Sequence, residues 1–373
     1  MNEYSGNDNS NDECIGLSTA ESLSILKDYW NDVNDHLVQS KECKYYDKPP
    51  TDIVFIRDVV NQHIPCIING LIDNWPALSS WDFDYLINKT NNHTVNVNFT
   101  HDGDADSVKC IDNDMYFIYP TEIQMTMNDF INMIRIREDD DAVPYLSQQD
   151  DNLRKHFPEL LNDITIGLPL ANNAFTNDDP ALENEISAEP LTACNLWIGD
   201  ERSVSSIHKD FYENFYCCIE GEKTFILFPP ADIAFMDERE YKTKKYNYKH
   251  TKEGDIIKRI KQNDIDIVDT DSPNERVSWI ANDPAYSLSS FKDCHPIILT
   301  LKKGETLYLP AMWYHRVSQT KPTIAVNFWY EQRFDHRFVH YQLSRNLSKI
   351  YKSLNLNRID WRKDESHDDD YYS

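Results

Sequence analysis

Basic residues are under-represented in this 373-residue chain, where 37 Lys and Arg stand against 63 Asp and Glu for a formal charge of −26. A surface of that sign repels phosphate backbones, which excludes nucleic acid as a partner and favours a basic one. Glycine is scarce too, at nine residues, and it has no repeating period, so a collagen-like chain is excluded. The eight cysteines form no C-x-x-C pair, and neither a zinc site nor a disulfide framework follows from them. No apolar run reaches the roughly 18 residues that cross a bilayer, so no membrane partner is expected. The N-terminus is rich in Asn, Asp and Glu and lacks a basic start followed by an apolar core, so no secretory signal is expected. The sequons at Asn88, Asn92, Asn98 and Asn346 are then expected to stay unglycosylated. These absences point to a reduced, soluble compartment, cytoplasmic or nuclear.

What remains is a folding composition: 40% hydrophobic residues, with 21 Tyr, 16 Phe and 8 Trp. We expect a polar, disordered start over 1–16 and a helical segment within 17–50. There Leu23, Leu26, Trp30, Val33 and Leu37 recur at spacings of three and four, and Ser18 and Glu21 suit a capping box. That helix either packs on the core or binds a partner. One large domain is expected over 51–333, a helix over 334–360 and an acidic tail over 361–373. Within the domain, Ile53–Ile56 and Pro65–Ile68 are expected as strands, with a short helix over 57–62 between them. Trp75, Pro76 and Trp81 are expected to close one end of a barrel. Further strands are expected at Thr94–Phe99, Met115–Tyr119 and from Val143, with helices from Thr126 to Ile136 and over Gln148–Ile164. His101, among Asp102, Asp104 and Asp106, is expected in a solvated loop, and 172–189 is expected as a loop. Residues 231–293 form a long polar insertion, expected as a loop that is functional or partly disordered. Between Arg239 and Gln262 it holds nine Lys or Arg against three acids, either a solvated run or a docking patch for an acidic partner.

Chemistry concentrates between Asn195 and Pro230. His208 and Asp210 stand two apart on strand-like sequence, and a strand puts such residues on one face, where imidazole and carboxylate can grip one metal ion. The best candidate for a third ligand is His315, in G-E-T-L-Y-L-P-A-M-W-Y-H. Two histidines and a carboxylate make a facial triad with open positions, the arrangement of non-heme Fe(II) oxygen chemistry. A second H-x-D, at His367, lies in the charged tail without a strand pattern and is taken as coincidence.

Around the first copy, V-P-Y-L-S-Q-Q from Val143, N-L-W-I-G-D-E from Asn195, H-K-D-F-Y-E-N-F-Y-C from His208 and G-E-K-T-F from Gly221 join L-Y-L-P-A-M-W-Y-H from Leu307 and A-V-N-F-W-Y from Ala325. This set resembles the Jumonji-C family of Fe(II)- and 2-oxoglutarate-dependent oxygenases, in its small hydroxylase branch. The resemblance implies a mainly β fold with flanking helices, a double-stranded β-helix (jelly-roll, cupin-like) barrel. It implies Fe(II) on His208, Asp210 and His315, with 2-oxoglutarate and dioxygen as cosubstrates. Lys223 would meet the distal carboxylate of 2-oxoglutarate, with hydroxyl partners at Tyr145 and Ser205, and Asn214 and Asn327 would make polar contacts near the metal. Ser205 stands where relatives often have threonine. Taken alone, Lys223 fits a solvated turn, and Asn214 and Asn327 could serve only to satisfy buried backbone.

The resemblance further implies hydroxylation at C3 of a protein lysine, in a developmentally regulated GTP-binding protein, and a homodimer through the C-terminal helix. Rival expectations are a metal-dependent peptidase acting on basic tails, such as those of histones, and a non-catalytic interaction scaffold, against which an intact triad with Lys223 counts. Demethylation would ordinarily come with zinc cysteines or a chromatin-reading module, and neither is present.

Overall fold

In a computed structural model, residues 18–37, 42–90, 93–175, 191–249, 259–285 and 288–353 are described. The expected disordered start, the tail with the second H-x-D, most of the 172–189 loop and the middle of the basic run lie outside them.

Two curled sheets make a jelly roll. The larger contains, in spatial order, β1 (Lys44–Tyr46), β2 (Cys66–Asn69), β17 (Glu305–Leu309), β11 (Tyr212–Glu220), β19 (Thr323–Glu331), β9 (Leu191–Gly199), β8 (Val143–Leu146), β3 (Thr94–Thr100) and β7 (Thr121–Thr126). The smaller contains β16 (Ile297–Lys302), β12 (Glu222–Phe228), β18 (Tyr314–Gln319), β10 (Val204–His208) and β4 (Asp104–Ala105). Strand alternation sorts the side chains between them. Along β11, Tyr216 and Cys218 join Phe225 and Leu227 of β12 inside the barrel, while Phe215, Cys217 and Ile219 face the core outside the larger sheet. The turn between β11 and β12 needs glycine. Gly221 has φ +84°, and a Cβ there would stand 2.5 Å from the Pro322 carbonyl.

Helices cover the outer faces. Helix α1 (Thr19–Asp32) begins in the expected capping box, with Glu21 N–H donating to Ser18 Oγ and Ser18 N–H to Glu21 Oε2. It is pinned to the core: Leu26 is buried, and the Tyr29 hydroxyl lies 2.6 Å from Ser344 Oγ in α8 (His336–Ser353). No helix among the described residues is long and apolar enough to cross a membrane.

Several local expectations need correction. Ile53–Ile56 is not a strand but lies in α2 (Asp52–Phe55) and the helical turns that continue to Val60. The apolar run suited either period, but Phe55 and Val59 fall four apart on one buried face, while Ile53 is 73% exposed. Trp75 and Trp81, flanking α3 (Ala77–Ser80) and preceding α4 (Phe83–Lys89), do not close the barrel. They are buried outside the larger sheet, Trp75 edge-on to Phe328 and Trp81 donating to Asp163. Thr126 does cap α5 (Met127–Arg135) as expected. The Gln148–Ile164 helix is shortened to α6 (Asn152–His156), and a tighter turn runs from Pro158, which cannot continue an α-helix. A further helix, α7 (Pro169–Phe175), occupies the start of the expected 172–189 loop. His101 is half-buried rather than solvated, its Nε2 2.9 Å from the Ile265 carbonyl and its ring against Tyr246.

The largest correction concerns 231–293. It carries β13 (Glu238–Tyr248), β14 (Ile265–Asp269) and β15 (Arg276–Ile280), which pair with β5 (Ser107–Ile111) and β6 (Asp114–Tyr119) in a third sheet. Its basic residues meet the chain's own acids: Lys244 with Asp269, Lys249 with Asp266, Arg259 with Glu138, and Lys261 with Glu138, Asp140 and Asp141. The described part of the run is therefore strand rather than loop, with much of its charge met by the chain's own acids, while Arg239 and Lys242 stay exposed.

Candidate metal centre and cosubstrate pocket

His208 ends β10 and pairs directly with His315 of β18. The two rings lie 4.2 Å apart between centroids. Each Nδ1 sits against a main-chain carbonyl, that of Ser206 at 2.7 Å and that of Trp313 at 2.9 Å. With the Nδ1 hydrogens donated there, both Nε2 lone pairs are left for a shared partner. Asp210 Oδ2 is 3.7 Å from His315 Nε2 and 4.0 Å from His208 Nε2. The carbonyl of Asp210 accepts from Met312 N–H at 2.7 Å, which ties the loop of one ligand to the loop preceding the other. Burial, and then the neighbouring His208, push His315 down to about 4, so it is neutral as a metal ligand must be. One donor atom from each side chain lies within 4.8 Å of the others, a spacing that can converge on one ion roughly 2.1 Å from each. The donor set therefore fits Fe(II).

A second acidic group, Glu138, Asp140 and Asp141, also brings oxygens together. Its charge is already met by Arg259 and Lys261.

Deeper in the barrel, Lys223 is fully buried, with its Nζ 3.0 Å from the Tyr145 hydroxyl and above the rings of Tyr145 and Tyr216. Among the described residues no carboxylate lies within ion-pair distance of it. The Tyr216 hydroxyl is buried and, among the described residues, has no hydrogen-bond partner. An unbalanced cation and an orphan hydroxyl in one apolar pocket are costly, and a ligand carboxylate would relieve both, so the pocket fits 2-oxoglutarate. Ser205 lines the same cavity, as do His208, Asp210, Asn214, His315 and Asn327. Close approach at Gly199 makes room for Tyr145: a Cβ there would stand 2.8 Å from Tyr145 Cδ2.

Asn214 and Asn327 bond side chains, not backbone. Asn327 Nδ2 donates to Asn214 Oδ1 at 3.1 Å, while Asn327 Oδ1 accepts from Trp197 Nε1 at 2.9 Å and Asn195 Nδ2 at 3.2 Å. Tyr145, Ser205, His208, Asp210, Asn214, His315 and Asn327 thus line one cavity, and Lys223 stands behind its wall, bonded to the Tyr145 hydroxyl.

Other residues of the site went unsingled in the sequence. Tyr216 and Trp197 carried a signal, each two positions beyond a polar residue on the same strand face. Asp106 and Trp279 carried none. Both line the open cleft beside His208 and Asp210. Trp279, from β15 of the insertion, stacks parallel to His208 at 6.1 Å and donates from Nε1 to Ser206 Oγ at 3.0 Å.

The pattern of the Cupin-like domain family matches residues 51–336. The chain is 35% identical over 309 residues to the human bifunctional peptidase and (3S)-lysyl hydroxylase JMJD7, covering 82% of this chain and 89% of that protein. It is 31% identical over 357 residues to the lysine-specific demethylase JMJ32 of Arabidopsis thaliana (91% and 96% covered). It is also 30% identical over 358 residues to JmjC domain-containing protein E of Dictyostelium discoideum (88% and 96% covered).

Proposed function

The chain belongs to the cupin-like, JmjC-domain family of Fe(II)- and 2-oxoglutarate-dependent oxygenases, and from that premise we propose that it is a protein lysyl hydroxylase acting at C3 of its target. The observation that carries the chemistry is the pairing of a His208, Asp210 and His315 donor set with an uncompensated Lys223 in the closed end of the same barrel. The choice of lysine draws on the human relative, whose name states that activity.

In this reading His208, Asp210 and His315 hold Fe(II). When bound, iron with 2-oxoglutarate and dioxygen supplies oxidative decarboxylation of the cosubstrate to succinate, coupled to hydroxylation of an unactivated C–H bond. The chain's own groups bind and orient. Lys223 and the hydroxyls of Tyr145, Tyr216 and Ser205 receive the distal carboxylate at the inner end of the barrel. Asn214 and Asn327, locked by Trp197 and Asn195, keep the polar wall beside the metal rigid, and Trp279 fixes the His208 ring from the cleft side.

The substrate we favour is a developmentally regulated GTP-binding protein. A formal charge of −26 supports a cationic target, since it speeds encounter with Lys-rich segments. It also supports a protein that binds no nucleic acid, and we place its action in the cytoplasm or nucleus. A homodimer through α8 is supported by the exposure of Val339 and Leu343. Peptidase action on basic tails is the second reading, because the human relative's name carries both activities. It would need neither Lys223 nor dioxygen.

The test is intact-mass spectrometry of a lysine peptide from that GTP-binding class, incubated in air with the protein, Fe(II) and 2-oxoglutarate while succinate is followed. One added oxygen coupled to succinate supports the hydroxylase. Cleaved peptide under strict anaerobiosis without 2-oxoglutarate would replace it with the peptidase.

A further inference from the structure

The cleft outside the metal centre contains a carboxylate with no work in the chemistry above. Asp106 follows β4 in the left-handed backbone region, φ +50°, and β4 lies parallel to β10 with Ala105 opposite Ser205. This places Asp106 beside Ser206, whose hydroxyl donates to the Asp106 main-chain carbonyl at 2.5 Å. Its side chain lines the cleft together with His208, Asp210 and Trp279.

Among the described residues the Asp106 carboxylate makes no hydrogen bond and no ion pair. Its acidic neighbours differ. Asp102 and Asp104 share Lys109, and Asp200 is held by Arg202. The cation nearest in the cleft, Lys209, is committed elsewhere, to Glu238 at 3.4 Å and to the faces of Tyr314 and Tyr341. A carboxylate held this way at the mouth of a reaction site is relieved by a ligand cation.

We propose that Asp106 is the specificity anchor of this site: its carboxylate receives the ammonium of the target lysine, whose methylene chain lies along Trp279 toward the His208, Asp210 and His315 centre. The proposal rests on the lysyl hydroxylase reading and names the group that selects lysine. The placement supports it. Asp106 lines the same cleft as His208 and Asp210. Lysine C3 lies four bonds of about 1.5 Å from Nζ, roughly 5 Å when extended. A lysine that presents C3 to the metal centre therefore needs a counter-charge on the wall of the cleft that opens from it, and Asp106 stands on that wall. A substrate presenting an N-methyl carbon would hold its nitrogen at the metal and leave Asp106 unanswered.

The experiment compares a lysine peptide of the GTP-binding class with its norleucine twin, which keeps the chain and loses the charge. Hydroxylation is read by mass. Affinity is read by calorimetry with a redox-silent divalent ion in place of iron. The wild-type protein should prefer lysine over norleucine by about 30-fold or more in kcat/KM and in Kd. In Asp106→Asn, which keeps shape and tolerates the left-handed backbone, that preference should collapse to within about threefold, mainly through KM. A preference that persists undiminished in Asp106→Asn overturns the anchor and leaves the hydroxylase standing. So does a wild-type protein that hydroxylates both peptides equally, a result that needs no variant to fold. A wild-type protein that hydroxylates neither overturns the hydroxylase reading, and the anchor with it.

Discussion

Lys223 Nζ meets the Tyr145 hydroxyl at 3.0 Å in a pocket where the lysine is fully buried, so its charge is balanced only when a ligand carboxylate arrives. Two opposite effects follow from one substitution. Lys223→Met should stabilise the cosubstrate-free protein by about 1–3 kcal/mol, because an apolar chain of similar length replaces a buried unpaired ammonium. It should also raise the apparent 2-oxoglutarate requirement by about 100-fold and abolish the thermal shift that 2-oxoglutarate gives the wild type. Melting curves with and without 2-oxoglutarate read both effects, and a less stable apo variant would contradict the buried-charge account.

Removing a metal ligand tests a separate part of the site. His208→Ala, Asp210→Ala and His315→Ala should each weaken divalent-ion binding by at least about 100-fold, read by calorimetry with Mn(II), and abolish succinate formation. Product formed by the double change His208→Ala with His315→Ala would refute the assignment outright.

Asn327 is the junction of four buried polar side chains. Asn327→Leu leaves the Trp197 and Asn195 donors and the Asn214 acceptor without partners in a dry interior. A loss of about 3 kcal/mol is expected in urea unfolding. A loss under about 1 kcal/mol would mean that water replaces the asparagine.

Spacing in the sequence picked out His208 with Asp210, which stands just past the end of β10, whereas Lys223 and the two asparagines were legible only through the family resemblance, since their partners come from other strands. The same logic was ambiguous at Ile53–Ile56, where a β-branched run reads as strand until the burial of Phe55 and Val59 is known. It could not reach Asp106 or Trp279. Asp106 comes to the site by the pairing of two-residue β4 with β10, and Trp279 by the pairing of β15 with β13. Neither pairing leaves a local trace. Lys261 misled for a related reason: in the chain it stands in a basic run, but its partner Glu138 is 123 residues away.

Acid sensitivity should come in part from His63. Burial, then the nearby Arg337 charge, hold it down to about 3, below the ordinary 6.5, and among the described residues its Nε2 has no hydrogen-bond partner. The unfolded chain therefore takes up the proton first. The stability tied to neutral His63 is present above pH 6.5 and is lost as pH falls from there toward 3. By pH 5 the loss is at most about 2 kcal/mol. His63 has φ +54°, so Asn, which tolerates that backbone, is the apt replacement. His63→Asn should flatten the dependence of urea stability on pH between 7 and 5, and an unchanged slope would clear His63 of the effect.

Helix α8 has two apolar faces with different fates. Tyr341 is buried against the core, with Phe338 and Leu347 packed beside it. Val339 and Leu343, one helical turn apart, are 67% and 55% exposed. If a second copy covers that outer face, the wild type scatters light as a dimer. Val339→Glu with Leu343→Glu should then give a monomer of unchanged melting temperature within about 2 °C, because side chains that are exposed in the single chain contribute little to its own fold. A wild-type protein that is monomeric at concentrations of about 100 μM would show that the outer face of α8 is simply solvated, a common state for single apolar residues on a surface.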